Sequence, residues 1–132
     1  MKGPPLSRPL LLAALAGLGV WIVLAGCNSG SPNPRAGVGN PRQGKLLIVH
    51  YGCAACHVIP GIRNARGLVG PPLYDFADRT MIAGELPNTP VNLIRWIENP
   101  PGIEPKTAMP DLGVTPPQAS DIAAYLYTLR SR

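Results

Sequence analysis

The chain has 132 residues, of which twelve are Lys or Arg and seven are Asp or Glu, giving a formal net charge of +5. Two of these cations, Lys2 and Arg8, lie at the N-terminus, so that from Cys27 onward ten basic residues stand against seven acidic ones. An excess so small and so scattered argues against a nucleic-acid-binding protein, which concentrates its positive charge on one surface.

Residues 1–26 are predicted to be an export signal rather than part of the fold. A positively charged start without acids precedes an apolar run from Leu10 to Val23. The run closes with Leu24-Ala25-Gly26-Cys27, in which small residues precede a cysteine. This pattern resembles the lipobox of bacterial lipoproteins, so we expect Cys27 to become a lipidated N-terminus held stably in a membrane by two or more acyl chains.

Two other interpretations of this segment remain open. The stretch from Leu10 to Gly26 lies at the short edge of the length that crosses a bilayer, so it could be an uncleaved anchor. A signal-peptidase site beside an incidental cysteine is the other alternative. All three interpretations place an exported domain on the periplasmic side of the cytoplasmic membrane.

Residues 27–39 are predicted to be a flexible linker. They consist mostly of Gly, Pro, Ser and Asn and carry almost no core-forming side chains. Such a linker has a root-mean-square span of about 20 Å. We therefore expect the domain formed by residues 40–132 to be tethered close to the membrane and free to rotate.

Three helices are predicted in that domain, and each begins at a capping residue followed by proline. The first starts at Asn40-Pro41 and ends before Gly52, and the second runs from Thr89-Pro90 to Asn99-Pro100. The third follows a capping-box pattern from Thr115 to Gln118 and places four apolar residues on one face: Ile122, Tyr125, Leu126 and Leu129. No alternating strand pattern is convincing, so we expect an all-α fold with long loops.

The run Cys53-Ala54-Ala55-Cys56-His57 lies between the first two helices. Two thiols at this spacing followed by an imidazole are typical of covalent haem c attachment, with each thiol bonded to a vinyl group and His57 as an axial iron ligand. A thiol–disulfide redox pair would need a βαβ context, and a zinc site would need four ligands. One covalent haem c is therefore expected, with the loops wrapped around it. Cys27, Cys53 and Cys56 are then all accounted for.

The second axial ligand is predicted to be Met109. This methionine lies in a proline-rounded loop before the last helix, and a thioether is a soft, neutral ligand that raises the reduction potential. The alternatives are a core-filling role for Met109, or ligation by Met81 or His50. His50 is close to His57 along the chain, and we expect it to have a structural or surface role.

At this point the chain resembles the class I cytochromes c over nearly all of residues 40–132. The resemblance implies that Gly44 and Ile48 cross the last helix at Tyr125. It also implies roles at the haem for five further residues, each at the matching position of the family pattern. These are Pro71, whose carbonyl accepts the His57 Nδ1–H; Arg79 and Thr107, near the propionates; Trp96, beside the haem; and Met109, the distal ligand.

Some residues depart from the family pattern. Ile48 is not aromatic, Asp78 replaces a usual glycine, and the segment from Arg63 to Val69 differs in length from mitochondrial forms. The segments Leu86 to Pro90 and Trp96 to Pro100 are more similar to the cytochrome domain fused to subunit II of some bacterial haem–copper oxidases. No copper-binding portion accompanies them here.

The resemblance implies an electron carrier rather than an enzyme, with no small-molecule substrate because both axial positions of the iron are filled. A quinol-oxidising complex and a terminal oxidase are the implied redox partners, and the lipid anchor supplies membrane attachment. Two alternatives stay open: a cytochrome subunit of a larger respiratory complex, and an open-site peroxidase-like or gas-binding haem protein.

Overall fold

The computed structural model describes residues 39–131. The predicted signal 1–26, the lipidation of Cys27 and the linker up to residue 38 lie outside these residues. Within these residues are four α-helices and one two-stranded antiparallel hairpin. None of these four helices is long and apolar enough to cross a membrane. In chain order the elements are α1 (Pro41–His50), β1 (Met81–Ile82), β2 (Leu86–Pro87), α2 (Pro90–Glu98), α3 (Pro100–Ile103) and α4 (Pro116–Leu126).

The all-α fold and the starts of the three predicted helices are confirmed. The Asn40 side chain accepts the Arg42 backbone N–H at 3.0 Å at the start of α1. Thr89 Oγ1 accepts the Asn92 N–H at 3.3 Å at the start of α2. At the start of α4, Gln118 Oε1 reaches back to the Thr115 N–H at 3.1 Å. Each cap satisfies a backbone donor that has no partner within its own helix.

Three details differ from the sequence-based expectation. The single turn α3 follows α2 directly, because the prolines that end α2 are compatible with the first turn of a new helix. Asn99 caps α3 by accepting the Gly102 N–H at 2.9 Å. Leu129 lies beyond α4, which ends at Leu126. The short hairpin was not expected; its turn places Ala83 and Gly84 at φ values of 53° and 81°, the positive region that tight hairpin turns require.

The contact between α1 and α4 is the most extensive between any two described elements. Gly44 makes it possible, because a Cβ atom at this position would overlap the carbonyl of Asp121. Leu47 and Ile48 on α1 are buried next to Gly44, and Ile122 is buried on α4. The predicted crossing of Gly44 and Ile48 with the last helix is therefore present, but the atoms nearest to Gly44 belong to Asp121 and Ile122, about one turn before the predicted Tyr125.

Two polar groups tie the loops to the end of α4. Asn88 donates to the carbonyl oxygens of Phe76 and Arg79 at 2.9 and 3.0 Å, and its own oxygen accepts the Tyr127 hydroxyl at 2.8 Å. Asp78, the residue that replaces the usual glycine, accepts from both the backbone N–H and the hydroxyl of Ser131 at 2.8 and 2.9 Å. The loop that carries Arg79 is thus fastened on two sides.

Candidate haem-binding site

A cavity of about 690 Å³ opens between the helices and the loops. Most of its lining residues are apolar, among them Ile48, Leu93 and Ile122 from three different helices. Its volume lies within the range of about 300–1,000 Å³ that is usual for cofactor sites. The residues predicted for the haem all line it: Cys53, Cys56, His57, Pro71, Arg79, Trp96, Thr107 and Met109.

The two cysteines are presented by a single 3₁₀ turn, Cys53–Ala55, which follows Gly52 at a φ of 68°. The turn is closed by the His57 N–H donating to the Cys53 carbonyl at 3.0 Å, so that both thiols and the imidazole face one cavity. Both cysteine side chains are half-buried. Burial raises the pKa of the Cys53 thiol, which keeps that sulfur in its neutral form.

The imidazole of His57 is held by the loop that follows the motif. Its Nδ1 lies 2.8 Å from the Pro71 carbonyl oxygen, so Nδ1 carries the proton and donates it. Nε2 is then the nitrogen with a lone pair for a metal. A Cβ on Gly70 would overlap the His57 ring, which explains why a residue without a side chain precedes Pro71.

Arg79 fastens the same loop from the other side. Its Nη2 donates to the Pro72 carbonyl and to the Tyr74 carbonyl, the latter at 3.0 Å. Its guanidinium also lies over the Phe76 ring, 5.7 Å from the ring centre. Arg79 therefore places a positive charge at the cavity wall and stiffens the segment that orients His57.

Met109 and Trp96 lie on segments that follow the hairpin. Trp96 is buried on α2, and Met109 is half-buried in the loop before α4. Thr107 Oγ1 accepts the Met109 backbone N–H at 3.2 Å, which fixes the turn that carries the thioether and leaves the threonine hydroxyl proton free to donate. His50 does not line the cavity; its ring packs edge-on against Tyr51, with 5.0 Å between the centres.

Two further residues line the cavity, and sequence reasoning missed one of them. Met81, the alternative thioether ligand, lines the cavity from β1 with 42% of its surface exposed. Tyr51 lines the cavity and donates its hydroxyl to Gln118 Oε1 at 2.7 Å. Tyr51 lies two residues before Cys53, and this closeness to the motif was the only sequence feature that could have placed it in the cavity wall.

The residues present fit a haem c. The cavity is large and mostly apolar, as a flat porphyrin requires, and its polar lining groups are the ones such a group needs. Two thiols suit thioether bonds to vinyl groups, an imidazole whose Nδ1–H is already hydrogen-bonded suits iron, and a methionine sulfur is a suitable soft second ligand. Arg79 and Thr107 are suitable partners for carboxylates.

Similarity to known proteins covers most of the described residues. The family model described as "Cytochrome c" matches residues 42–130. Among curated proteins, cytochrome c oxidase subunit 2 of Alkalihalophilus pseudofirmus is 34% identical over 68 residues, which are 52% of this chain and 19% of that protein. The corresponding protein of Bacillus sp. strain PS3 is 31% identical over 87 residues, which are 63% of this chain and 24% of that one. The chain thus spans a quarter or less of these relatives.

Among solved structures, cytochrome c2 from Rhodobacter sphaeroides matches with a TM-score of 0.50. The match covers 71% of this chain and 98% of that structure at 20% sequence identity. At this identity the likeness concerns the fold alone.

Proposed function

The chain belongs to the cytochrome c family, and on that premise we propose that it is a membrane-tethered, mono-haem electron carrier of a respiratory chain. Family membership supports a covalently bound haem c and electron transfer. The finer elements of the proposal are the single haem, ligation by His57 and Met109, and attachment to the periplasmic face of a membrane through Cys27.

The observation that carries the proposal is the convergence of the CxxCH residues and Met109 on one apolar cavity. Haem c supplies one-electron Fe(II)/Fe(III) chemistry when it is bound. Cys53 and Cys56 would hold it through thioethers, and His57 Nε2 and the Met109 sulfur would bind its iron. Iron bound by both of these residues would leave no position for a substrate, so the proposed role is electron transfer and not catalysis.

Several groups of this chain would influence the orientation of His57 and the reduction potential of the haem. The Pro71 carbonyl holds the Nδ1 proton of His57 and so keeps the ring in one tautomer and one orientation. Apolar walls such as Leu93 and Trp96 exclude water, which disfavours the more highly charged ferric state. The neutral Met109 thioether acts in the same direction, and together these groups favour a high reduction potential.

The proposed partners are a quinol-oxidising complex as electron donor and a terminal oxidase as acceptor. Two features support them: the similarity to proteins named cytochrome c oxidase subunit 2, and exposed apolar side chains on the cavity lining. Val69 is 67% exposed and Leu112 is 39% exposed, and both line the cavity. Apolar groups beside a redox cofactor suit brief docking between electron-transfer proteins.

Substitution of Met109 tests the ligand assignment. Met109→Ala should lower the reduction potential, abolish the weak ferric absorbance band of methionine ligation, and open the iron to carbon monoxide or cyanide. Met81→Ala is the matched control, because it removes a second thioether from the same cavity. If Met81→Ala produces these changes and Met109→Ala does not, the assignment is wrong. Ready carbon monoxide binding by the wild type would favour the open-site alternative.

A second candidate function is a fixed cytochrome subunit of a larger respiratory complex. The curated relatives favour it, since the segments that match this chain are parts of much longer oxidase subunits. Extraction of membranes in mild detergent followed by native electrophoresis separates the two candidates. A mobile carrier migrates alone, whereas a fixed subunit migrates with the other chains of the complex.

Mass spectrometry of the mature N-terminus tests the tether. We expect a diacylglyceryl-modified Cys27, and Cys27→Ala should abolish the modification and leave the haem spectrum unchanged. Cleavage at another residue, or an unmodified Cys27, would remove lipidation from the proposal without affecting the haem site.

A further inference from the structure

The outward side of α1 carries four residues that have no part in the haem site. Leu46 and Val49 are apolar and are 63% and 61% exposed, and Arg42 and Lys45 beside them are exposed cations. None of the four lines the cavity. We refer to these four residues as the outer face of α1.

The helical period places this face opposite the core. Gly44, Leu47 and Ile48 are the buried residues of α1 and form the side that packs on α4. Because positions four and three residues apart share a side of a helix, Arg42, Leu46 and Val49 form one stripe on the far side, with Lys45 next to it. The close contact of Gly44 with Asp121 fixes the helix, so the stripe is presented by a rigid support.

The charge of the outer face is positive and unopposed. No acidic residue occurs in α1, and within residues 39–131 neither Arg42 nor Lys45 has an ion-pair partner. Asp121 accepts the Asn40 N–H at 2.7 Å near the start of the helix, but its backbone meets Gly44 and it therefore lies on the packed side. Exposed apolar residues flanked by cations are the pattern of a helix that lies in a lipid headgroup region.

We infer that the outer face of α1 rests on an anionic lipid surface. Leu46 and Val49 would enter the boundary between headgroups and acyl chains, and Arg42 and Lys45 would bind the lipid phosphates. The inference rests on the proposed membrane tether: α1 begins directly after the linker, whose span of about 20 Å from Cys27 keeps this helix near the bilayer. The domain is then held in one orientation instead of rotating freely, and the cavity, lined by other residues, stays open to a redox partner.

The test uses the full-length, haem-loaded protein reconstituted into vesicles of phosphatidylcholine and phosphatidylglycerol. Leu46→Cys and, as a matched control, Val91→Cys each receive a nitroxide spin label. Val91 is likewise apolar and 67% exposed, but it lies on α2. For each label we measure the ratio of its accessibility to lipid-soluble oxygen to its accessibility to a water-soluble nickel complex. We expect this ratio to be several-fold higher at position 46 than at position 91. Arg42→Glu/Lys45→Glu, or vesicles of phosphatidylcholine alone, should abolish that difference.

Three results would overturn the inference. The first is equal access of the water-soluble complex to both labels. The second is shielding of the label at position 46 before vesicles are added, which would indicate a protein contact. The third is oxygen access at position 46 that does not depend on lipid charge. The haem spectrum, the reduction potential and the mass of the mature N-terminus are measured on the same samples. Failure of the proposed carrier or of its tether appears in those three measurements, and failure of the orientation appears only in the labels.

Discussion

The crossing of α1 and α4 and the loop from Gly52 to Tyr74 are stabilised in different ways. At the crossing, protein atoms meet protein atoms, and Gly44 lies so close to Asp121 that a methyl group would not fit. The loop instead turns Cys53, Cys56 and His57 toward a cavity of about 690 Å³. Contacts within the chain thus hold most of the crossing, although Ile48 and Ile122 also line the cavity. The loop, in contrast, would rely on the cofactor as its main packing partner.

This difference has a thermodynamic consequence for the loop. A cavity of this size with apolar walls is unfavourable when it faces water, because apolar surface is stabilised by leaving water. A covalent cofactor would remove that surface from water and would fix both ends of the attachment turn. The two regions should therefore respond differently to the same kind of substitution.

Loss of both attachment thiols should have the largest effect. Cys53→Ala/Cys56→Ala leaves the loop without its covalent packing partner, at a cost comparable with the whole stability of a small domain, about 5–15 kcal/mol. We expect little folded holoprotein, measured as haem content and far-ultraviolet circular dichroism of the purified chain. Cys56→Ala alone should retain some haem through a single thioether. A double variant that folds with haem at the wild-type level would show that the loop is stable without attachment.

The second-largest effect is expected from Gly44→Val, which disrupts the crossing of α1 and α4. The new side chain overlaps the Asp121 backbone, so α1 and α4 must separate, with an expected loss of about 3 kcal/mol in the free energy of unfolding. Guanidinium unfolding of the holoprotein measures it. Gln43→Val is the control, since the same residue placed at the exposed neighbouring position should cost about 0.5 kcal/mol or less. Equal losses in the two variants would mean that the crossing is not closely packed.

Gly70→Ala tests the loop without removing a ligand. The added methyl group meets the His57 ring, so either the ring or the Pro71 carbonyl must move. We expect a loss of about 1–3 kcal/mol and a changed reduction potential, measured by unfolding and by redox titration. Leu68→Ala, in the same loop but 88% exposed, should leave both quantities unchanged. A Gly70→Ala protein with the wild-type potential would contradict the role given to the His57–Pro71 contact.

The smallest effect is expected at the hydrogen bond that joins the two regions. Tyr125 on α4 donates its hydroxyl to the Pro60 carbonyl at 2.7 Å, and Tyr125→Phe should cost about 1 kcal/mol at neutral pH. Burial raises the pKa of Tyr125 above its ordinary value of 10.0. Because the folded pKa is the higher one, this contribution is complete below the unfolded pKa and is lost as the pH rises through the folded pKa.

Urea unfolding of the wild type and of Tyr125→Phe at neutral and at strongly alkaline pH measures this effect. The difference between the two proteins should shrink above a pH of about 10. Equal stabilities of the two proteins at neutral pH would show that the hydroxyl contributes nothing through its hydrogen bond, and a difference that stays constant across that range would contradict the pH dependence.

The sequence was sufficient to predict the helix starts because their signals are local. Asn40, Thr89 and Thr115 each precede a proline, and each starts a helix in the structure. The single turn α3 was missed because Pro100 looks like the end of a helix and the turn is too short to show a period. Leu129 was placed on the last helix because its spacing continues the pattern, although the helix has already ended at Leu126.

Cys53, Cys56 and His57 were predicted from residue types at a fixed spacing, and Met109 from the chemistry of its thioether. The resemblance to class I cytochromes c implied the remaining site residues: Pro71, Arg79, Trp96 and Thr107. The structure brings all of them to one cavity. What the sequence did not predict depends on how the loops fold back. The three hydrogen bonds of Asn88 join it to Phe76, Arg79 and Tyr127, the last of them 39 residues away along the chain. No local pattern encodes such contacts.

Every described α-helix has proline in its first turn. A proline whose fixed φ suits the folded chain reduces the number of conformations open to the denatured chain, and each such position contributes about 0.4–1 kcal/mol. Four helix starts together give about 2–4 kcal/mol by this route. This contribution involves no contact in the folded protein, so it does not depend on whether the haem is attached. The backbone conformation at the four helix starts is therefore already restricted before the cofactor is attached.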